Sequence, residues 1–161
     1  MEDGKEVGTP IDAESAVRCM AASQSGKLIA AGTESAQVVV WDVETQQKVI
    51  AFTSKTGVNS VDISSDGTKI AIVTSRMVDV WSLTDNKWLW CRAGDPCMVK
   101  FSPDGCLSSL GESSSLSIYH SQSSKIYGRI PISARSVAWA SDGKQLYCLL
   151  TATSTVSMRI P

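Results

Sequence analysis

The sequence is poor in the residues that build most active sites. It has one histidine, His120, no Cys-x-x-Cys pair, and no Gly-Lys-Ser/Thr or Gly-x-Gly-x-x-Gly loop. A hydrolytic triad needs a histidine beside a nucleophile, a zinc site needs about four clustered ligands, and a phosphate loop needs its glycines. We therefore expect a noncatalytic protein with no metal site and no cofactor.

Long apolar runs and an excess of one charge are also missing. The 15 basic and 16 acidic residues give a formal net charge of −1, and no apolar run approaches the ~18 residues of a membrane span. The acidic first residues lack the apolar core of a secretory signal. These features argue against nucleic-acid and membrane partners. The five cysteines fit no disulfide framework, which favours a cytoplasmic or nuclear protein: Cys19, Cys91, Cys97, Cys106 and Cys148.

A turn signal recurs four times along the chain. Asp or Ser precedes a glycine in each copy, and the glycines are 41, 38 and 38 residues apart: Gly26, Gly67, Gly105 and Gly143. Glycine tolerates the positive φ of a tight hairpin turn. We therefore expect Gly67, Gly105 and Gly143 to be structural turn residues.

A second sequence pattern follows each turn. It consists of two apolar residues separated by one position and followed by an aromatic residue, as in Val-Val-Val-Trp-Asp, and it occurs at 38–42, 78–82 and 116–120, with a degenerate copy at 156–159. The segments between turns are short and rich in Val, Ile, Trp and Tyr, as strands are. Consecutive apolar residues, as at 70–73, indicate small sheets that are buried on both faces. The predicted strands are 17–23, 27–32, 37–41 and 48–52; 58–64, 69–74, 77–81 and 87–92; 97–102, 106–110, 115–119 and 125–130; 134–140, 144–150 and 155–160.

This order of signatures, on a period of about 40 residues, resembles the WD40 repeat family over roughly 17–160. The resemblance implies an all-β propeller of four-stranded blades, used mostly as a rigid interaction platform. It makes Trp41 and Trp81 packing residues between neighbouring sheets. The repeats lack the family's Gly-His pair, and His120 stands where the Asp of Trp-Asp belongs. The family's His–Asp–Ser–Trp network therefore cannot form, and we expect the blades to depend on apolar packing.

The repeats predict about four blades, at 17–56, 57–95, 96–133 and 134–161, after a flexible acidic tail at 1–16. Three blades are complete and the fourth lacks its outer strand, which predicts an incomplete or open propeller. We expect the outward apolar faces of blades one and four to be uncovered, which favours self-association or a need for further blades. The alternative is a closed four-blade ring in which the tail, near 5–7, completes blade four.

Function is predicted as a protein-interaction scaffold for proteins or peptides. One alternative is a receptor for acidic or phosphorylated peptides, and another is a truncated repeat fragment without independent activity. The candidate partner-binding residues are the basic side chains of a loop face and two tryptophans of one outer strand, which we expect on one side of that strand: Arg18, Lys55, Arg76, Arg92 and Arg135, with Trp88 and Trp90. Scattered surface charge and inter-blade packing are the competing interpretations.

Overall fold

A computed structural model describes residues 10–111, 115–150 and 155–159. These residues form fifteen β-strands and no helix, so the described chain has no helix that could cross a membrane. Every predicted strand is confirmed, with ends that differ by at most one residue. Residues 1–9 of the tail predicted at 1–16, including the segment near 5–7 that would close a ring, lie outside the described residues, as do residues 160 and 161.

The strands make four antiparallel sheets, each built from consecutive strands. Sheet one contains β1 (Val17–Ala22), β2 (Leu28–Thr33), β3 (Gln37–Asp42) and β4 (Lys48–Thr53). Sheet two contains β5 (Val58–Ile63), β6 (Lys69–Thr74), β7 (Met77–Ser82) and β8 (Lys87–Ala93). Sheet three contains β9 (Pro96–Phe101), β10 (Cys106–Gly111), β11 (Ser115–His120) and β12 (Ile126–Pro131). Sheet four contains β13 (Ala134–Trp139), β14 (Gln145–Leu150) and β15 (Thr155–Arg159).

The first turn of each sheet is closed by its glycine and by short side chains. In sheet two, Gly67 has a φ of 69°, and its amide donates to the Ser64 carbonyl at 2.8 Å. The Ser64 hydroxyl and the Thr68 amide both donate to Asp66, at 2.6 and 3.0 Å. Burial alone would raise the pKa of Asp66, but these hydrogen bonds and nearby Lys69 hold it at about 2. Gly105 and Gly143 have φ values of 90° and 70°.

Apolar clusters join each sheet to the next. Side chains of β2 and β3 pack on β5 and β6, those of β6 and β7 pack on β9 and β10, and those of β10 and β11 pack on β13 and β14. Neighbouring residues of a strand enter different clusters: Ile70 and Ile72 face sheet one, whereas Ala71 and Val73 face sheet three. The consecutive apolar residues thus lie in sheets buried on both faces.

The arc of four sheets is open. No apolar cluster of the described residues joins sheet four to sheet one, and sheet four has three strands in this part of the chain. The outward face of sheet four exposes Tyr147 and Leu149, as expected. The expectation of an uncovered outward face is wrong for the centre of sheet one. There Trp41 is only 4% exposed, and the apolar cluster to which it belongs contacts Ala13. Residues 10–16 also hold sheet one through a 2.6 Å ion pair between Glu14 and Lys48.

A β-bulge recurs in the outer strands of the first three sheets. In sheet two, Trp81 is opposite Trp88 while Val80 is opposite Trp90, which leaves Leu89 as the extra residue. Val49 and Tyr127 hold the same place in β4 and β12. A bulge residue has no partner across the strands, and all three side chains are exposed. The residues before and after the bulge consequently lie on opposite faces of their sheet.

Polar side chains supplement the apolar contact between sheets two and three. The Phe101 amide donates to Asp62 Oδ2 at 2.7 Å, and Lys100 Nζ lies 3.1 Å from Oδ1 of the same carboxylate. The Val99 amide donates to Ser60 Oγ at 3.3 Å. Burial raises the pKa of Asp62, although Lys100 and the Phe101 amide oppose the shift. Two side chains of β5 therefore satisfy backbone amides of β9.

Candidate functional site

A groove of about 590 Å³ opens between sheets one and two. It lies between the end of β4 and the side of sheet two that faces sheet one, and we name it the first groove. Six of its lining residues carry aromatic or charged side chains: Phe52, Lys55, Arg76, Asp79, Trp81 and Trp88. Three of these, Lys55, Arg76 and Trp88, are among the candidates predicted from the sequence.

One wall of the first groove is aromatic. The Phe52 and Trp81 rings stack across the two sheets, with centroids 4.4 Å apart and planes inclined by 19°. Trp88 is directly opposite Trp81 in the strand pairing, and it remains 51% exposed. Stacked aromatic pairs contribute ~0.5–1.5 kcal/mol beyond the area they bury. The wall is therefore held rigidly at Trp81 and left open to a ligand at Trp88.

The orientation of Trp88 is tied to a carboxylate. Its Nε1 donates to Asp79 Oδ1 at 3.4 Å, a long hydrogen bond. Burial raises the pKa of Asp79, while the Trp88 hydrogen bond and the charge of Lys55 act in the opposite direction. Asp79 thus accepts a hydrogen bond from the indole and lies near enough to Lys55 for the two charges to interact.

The rim of the first groove is basic. Lys55 lies in the loop after β4, and Arg76 lies in the turn between β6 and β7; both are exposed. Neither side chain forms a salt bridge within the described residues. Two cations and one half-buried carboxylate give the lining of this groove more positive than negative charge.

The remaining basic candidates do not join this groove. Arg92 lies between sheets two and three. Arg18 and Arg135 occupy equivalent β-bulges near the start of the innermost strands of sheets one and four. Arg18 contacts Glu34 at 3.6 Å, between two exposed side chains. The predicted loop face is therefore distributed over the arc, and among the described residues Lys55 and Arg76 are the two basic candidates that line one groove with the exposed Trp88.

The expectation that Trp88 and Trp90 lie on one side of their strand is wrong. The bulge at Leu89 turns Trp88 towards sheet one and Trp90 towards sheet three. Trp90 is only 6% exposed, and its Nε1 donates to the Ser121 carbonyl at 3.1 Å. Its ring lies 5.7 Å from that of Tyr119. Trp90 is consequently a packing residue, whereas Trp88 is available to a ligand.

Two lining residues, Phe52 and Asp79, were not predicted as part of a site. Asp79 interrupts the apolar segment Val78–Trp81, and a single acid within such a strand is a signal that could have been followed. Phe52 lies near the end of an outer strand and is 36 residues away from Trp88 in the sequence. Only the packing of sheet one on sheet two places these side chains together.

Comparison with known proteins supports the repeat interpretation. Residues 4–42 match the family model "WD domain, G-beta repeat". This segment is similar to a WD repeat. The matched range begins ahead of the first predicted repeat and includes residues assigned to the tail. No curated protein matches the sequence.

Many solved structures are similar to this chain, and two of them illustrate the shared fold. The β-propeller domain of Cps50 (Swd1) from Myceliophteria thermophila aligns with a TM-score of 0.78 and 10% identity, over 90% of this chain and 52% of that one. Hydrazine synthase from Kuenenia stuttgartiensis aligns with a TM-score of 0.65 and 21% identity, over 80% of this chain and 42% of that one. The chain spans about half the length of these structures. The likeness to these structures shows a propeller-like arc at the level of fold, and WD40 propellers are generally protein-interaction scaffolds.

Proposed function

We propose that the protein is a noncatalytic interaction scaffold that binds an acidic protein segment in the first groove. The observation that carries the proposal is that an exposed tryptophan, Trp88, lines one open groove together with two exposed cations, Lys55 and Arg76. Binding sites on proteins combine an apolar surface with a few polar groups that fix orientation. Tryptophan and arginine are also the residues most enriched at energetic centres of interfaces.

The proposed mode of binding has two parts. An apolar or aromatic side chain of the ligand covers Trp88, and each 100 Å² of apolar surface removed from water contributes about 2.5 kcal/mol before the costs of association. A carboxylate of the ligand pairs with Arg76 or Lys55 at the rim. Hydrogen bonds to charged groups contribute about 1.5–3 kcal/mol when they are well formed.

A cationic ligand fits this groove less well. Asp79 is the carboxylate among the groove residues, and its Oδ1 already accepts from Trp88. A ligand cation would approach this carboxylate past Lys55, whose charge acts on the same group. Like charges near one another at a protein surface repel, which favours the anionic ligand.

The test is a panel of nine-residue synthetic peptides with one Trp, Phe or Leu and one Asp or Glu two to four positions away. Binding is measured by fluorescence anisotropy of labelled peptides to wild type, Trp88→Ala and Arg76→Gln. Tyr127→Ala is the matched control, because Tyr127 is an exposed aromatic residue of the equivalent strand β12.

We expect binding to weaken at least ~10-fold in both groove variants and to remain unchanged in the control. Binding should also weaken as salt is raised, because the rim charges are exposed. Equal binding of peptides whose acid is replaced by its amide, or wild-type affinity in Trp88→Ala, would contradict the proposal.

A further inference from the structure

A second groove, of about 220 Å³, lies between sheets two and three. Arg92 of β8 and Arg129 of β12 line it from the two sheets, together with Ser115 and Ser117 of β11. We name it the second groove. It is the counterpart of the first groove one repeat further along the chain, and the pairing of strands allows the two grooves to be compared residue by residue.

The two grooves carry side chains of different chemical types at equivalent positions of the repeat. Phe52 is opposite Val38 in sheet one, as Arg92 is opposite Val78 in sheet two. The cross-strand pair of Asp79 and Cys91 in sheet two corresponds to the pair of Ser117 and Arg129 in sheet three. An aromatic ring, a thiol and a carboxylate of the first groove are therefore replaced in the second by two guanidinium groups and a hydroxyl: Arg92, Arg129 and Ser117.

The two guanidinium groups keep most of their donors available. Arg129 Nε donates to Ser117 Oγ at 3.3 Å, and one terminal nitrogen of Arg92 donates to the Ser124 carbonyl at 3.4 Å. Neither arginine forms a salt bridge within the described ranges, although Asp95 is part of the lining. A guanidinium group has five N–H donors. Like charges that line the same small cavity repel each other, and an anion between them would remove that cost.

We propose that the second groove is an oxyanion site for a phosphoryl group. Arginine forks match the terminal oxygens of phosphate, and charge-assisted hydrogen bonds of this kind are about twice as strong as neutral ones. The hydroxyls of Ser115 and Ser117 supply further donors on the wall that carries Arg129. A phosphoryl group has enough terminal oxygens for both arginines and a serine, whereas a single guanidinium satisfies a carboxylate.

The phosphoryl group has two chemically equivalent sources, a phosphorylated serine or threonine of a protein segment and free inorganic phosphate. The site is separate from the first groove and does not depend on peptide binding there. Its test therefore uses different variants, so that failure of one proposal leaves the other standing.

The experiment titrates the full chain with three probes at constant ionic strength: sodium phosphate, a hexapeptide with a central phosphoserine, and the same peptide with serine. Binding is followed by calorimetry and by the amide and arginine Nε–H signals in ¹⁵N-resolved NMR spectra. The variants are Arg92→Gln, Arg129→Gln and Arg129→Lys. Arg159→Gln is the control, because Arg159 is an exposed arginine at the end of β15.

We expect a phosphoryl-bearing probe to shift the signals of Arg129 and Ser117, and its affinity to fall at least ~10-fold in Arg92→Gln and Arg129→Gln. Arg129→Lys should retain part of the affinity, because it keeps the charge and loses the fork. Tighter binding of the phosphopeptide than of sodium phosphate assigns the site to a phosphorylated segment, and equal binding assigns it to the free ion.

The proposal is overturned if the serine peptide binds as well as the phosphoserine peptide, or if Arg129→Gln keeps wild-type affinity. It is also overturned if neither phosphoryl probe binds at about 10 mM, the weak end of useful affinity. Well-dispersed NMR spectra of each variant confirm that a loss of binding does not arise from unfolding.

Discussion

Replacement of Asp62 tests how sheets two and three are held together. Asp62 is buried, and it accepts from the Phe101 amide at 2.7 Å and from Lys100 Nζ at 3.1 Å. We expect Asp62→Ala to lower the free energy of unfolding by about 2–3 kcal/mol. The larger part is the buried Phe101 amide left without an acceptor, which costs about 1–3 kcal/mol. The partly exposed contact with Lys100 adds a smaller part, at most about 1 kcal/mol.

Asp62→Asn separates the hydrogen bond from the charge. The amide oxygen of asparagine still accepts from Phe101, so we expect a loss below about 1 kcal/mol at neutral pH. Burial raises the folded-state pKa of Asp62. The protonated form of Asp62 is therefore favoured in the folded protein. This stabilisation is fully present below the unfolded-state pKa of ~3.9, and it is lost as the pH rises through the folded-state pKa. The free energy of unfolding of Asp62→Asn, relative to that of wild type, should accordingly be more favourable near pH 7 than near pH 4.

The assay is urea unfolding followed by tryptophan fluorescence at both pH values. Ser60→Ala is the matched control, because Ser60 lies on the same strand and accepts a longer hydrogen bond, 3.3 Å, from the Val99 amide. We expect it to cost about 1 kcal/mol, less than Asp62→Ala, because the hydrogen bond that it removes is longer and has a neutral acceptor. A loss below about 0.5 kcal/mol in Asp62→Ala, or equal losses in Asp62→Ala and Asp62→Asn, would refute the reasoning.

Two further predictions concern packing and acid stability. Gly32→Ala should lower the melting temperature, because its Cβ would lie 2.5 Å from Val58 Cγ1 and overpacking of this kind costs about 1–3 kcal/mol. Gly128→Ala is its control, since no atom lies within 4 Å of that Cβ; equal melting shifts would contradict the packing argument. The pKa of Asp66 is about 2, so its carboxylate stabilises the fold above ~4 and this contribution is lost as the pH falls from ~4 towards 2. Asp66→Asn should make the free energy of unfolding depend less steeply on pH in that window. The change should be small, because the side chain is half exposed, and an unchanged dependence on pH would contradict the prediction.

The sequence was sufficient for the strands, the turns and the division into four sheets. These features depend on local signals, namely a glycine such as Gly67 in the left-handed region and consecutive apolar residues such as those of β6. Such signals act over a few residues and need no knowledge of the packing. The repeat period then supplied the order of the sheets along the arc.

The site could be predicted only in part. Lys55, Arg76 and Trp88 were selected individually, by their charge, size and position in the repeat. Their assembly depends on the packing of β4 against sheet two and on the bulge at Leu89, neither of which has a local signal in the sequence. A shift of one residue in a strand moves every following side chain to the other face, which is why the side assigned to Trp90 was wrong.

In each of the first three outer strands, the bulge reverses the alternation of side chains between the two faces of the sheet. This affects how the repeats can be recombined in the laboratory. Trp88 and Trp90, on the two sides of Leu89, face sheet one and sheet three respectively. A strand transplanted from one repeat to another must therefore be aligned on its bulge and not on the preceding turn. Deleting Leu89 alone would restore regular pairing, with Trp88 still opposite Trp81 and Trp90 still opposite Val80, so that both indoles would keep their sides of the sheet and only the bulge would be lost.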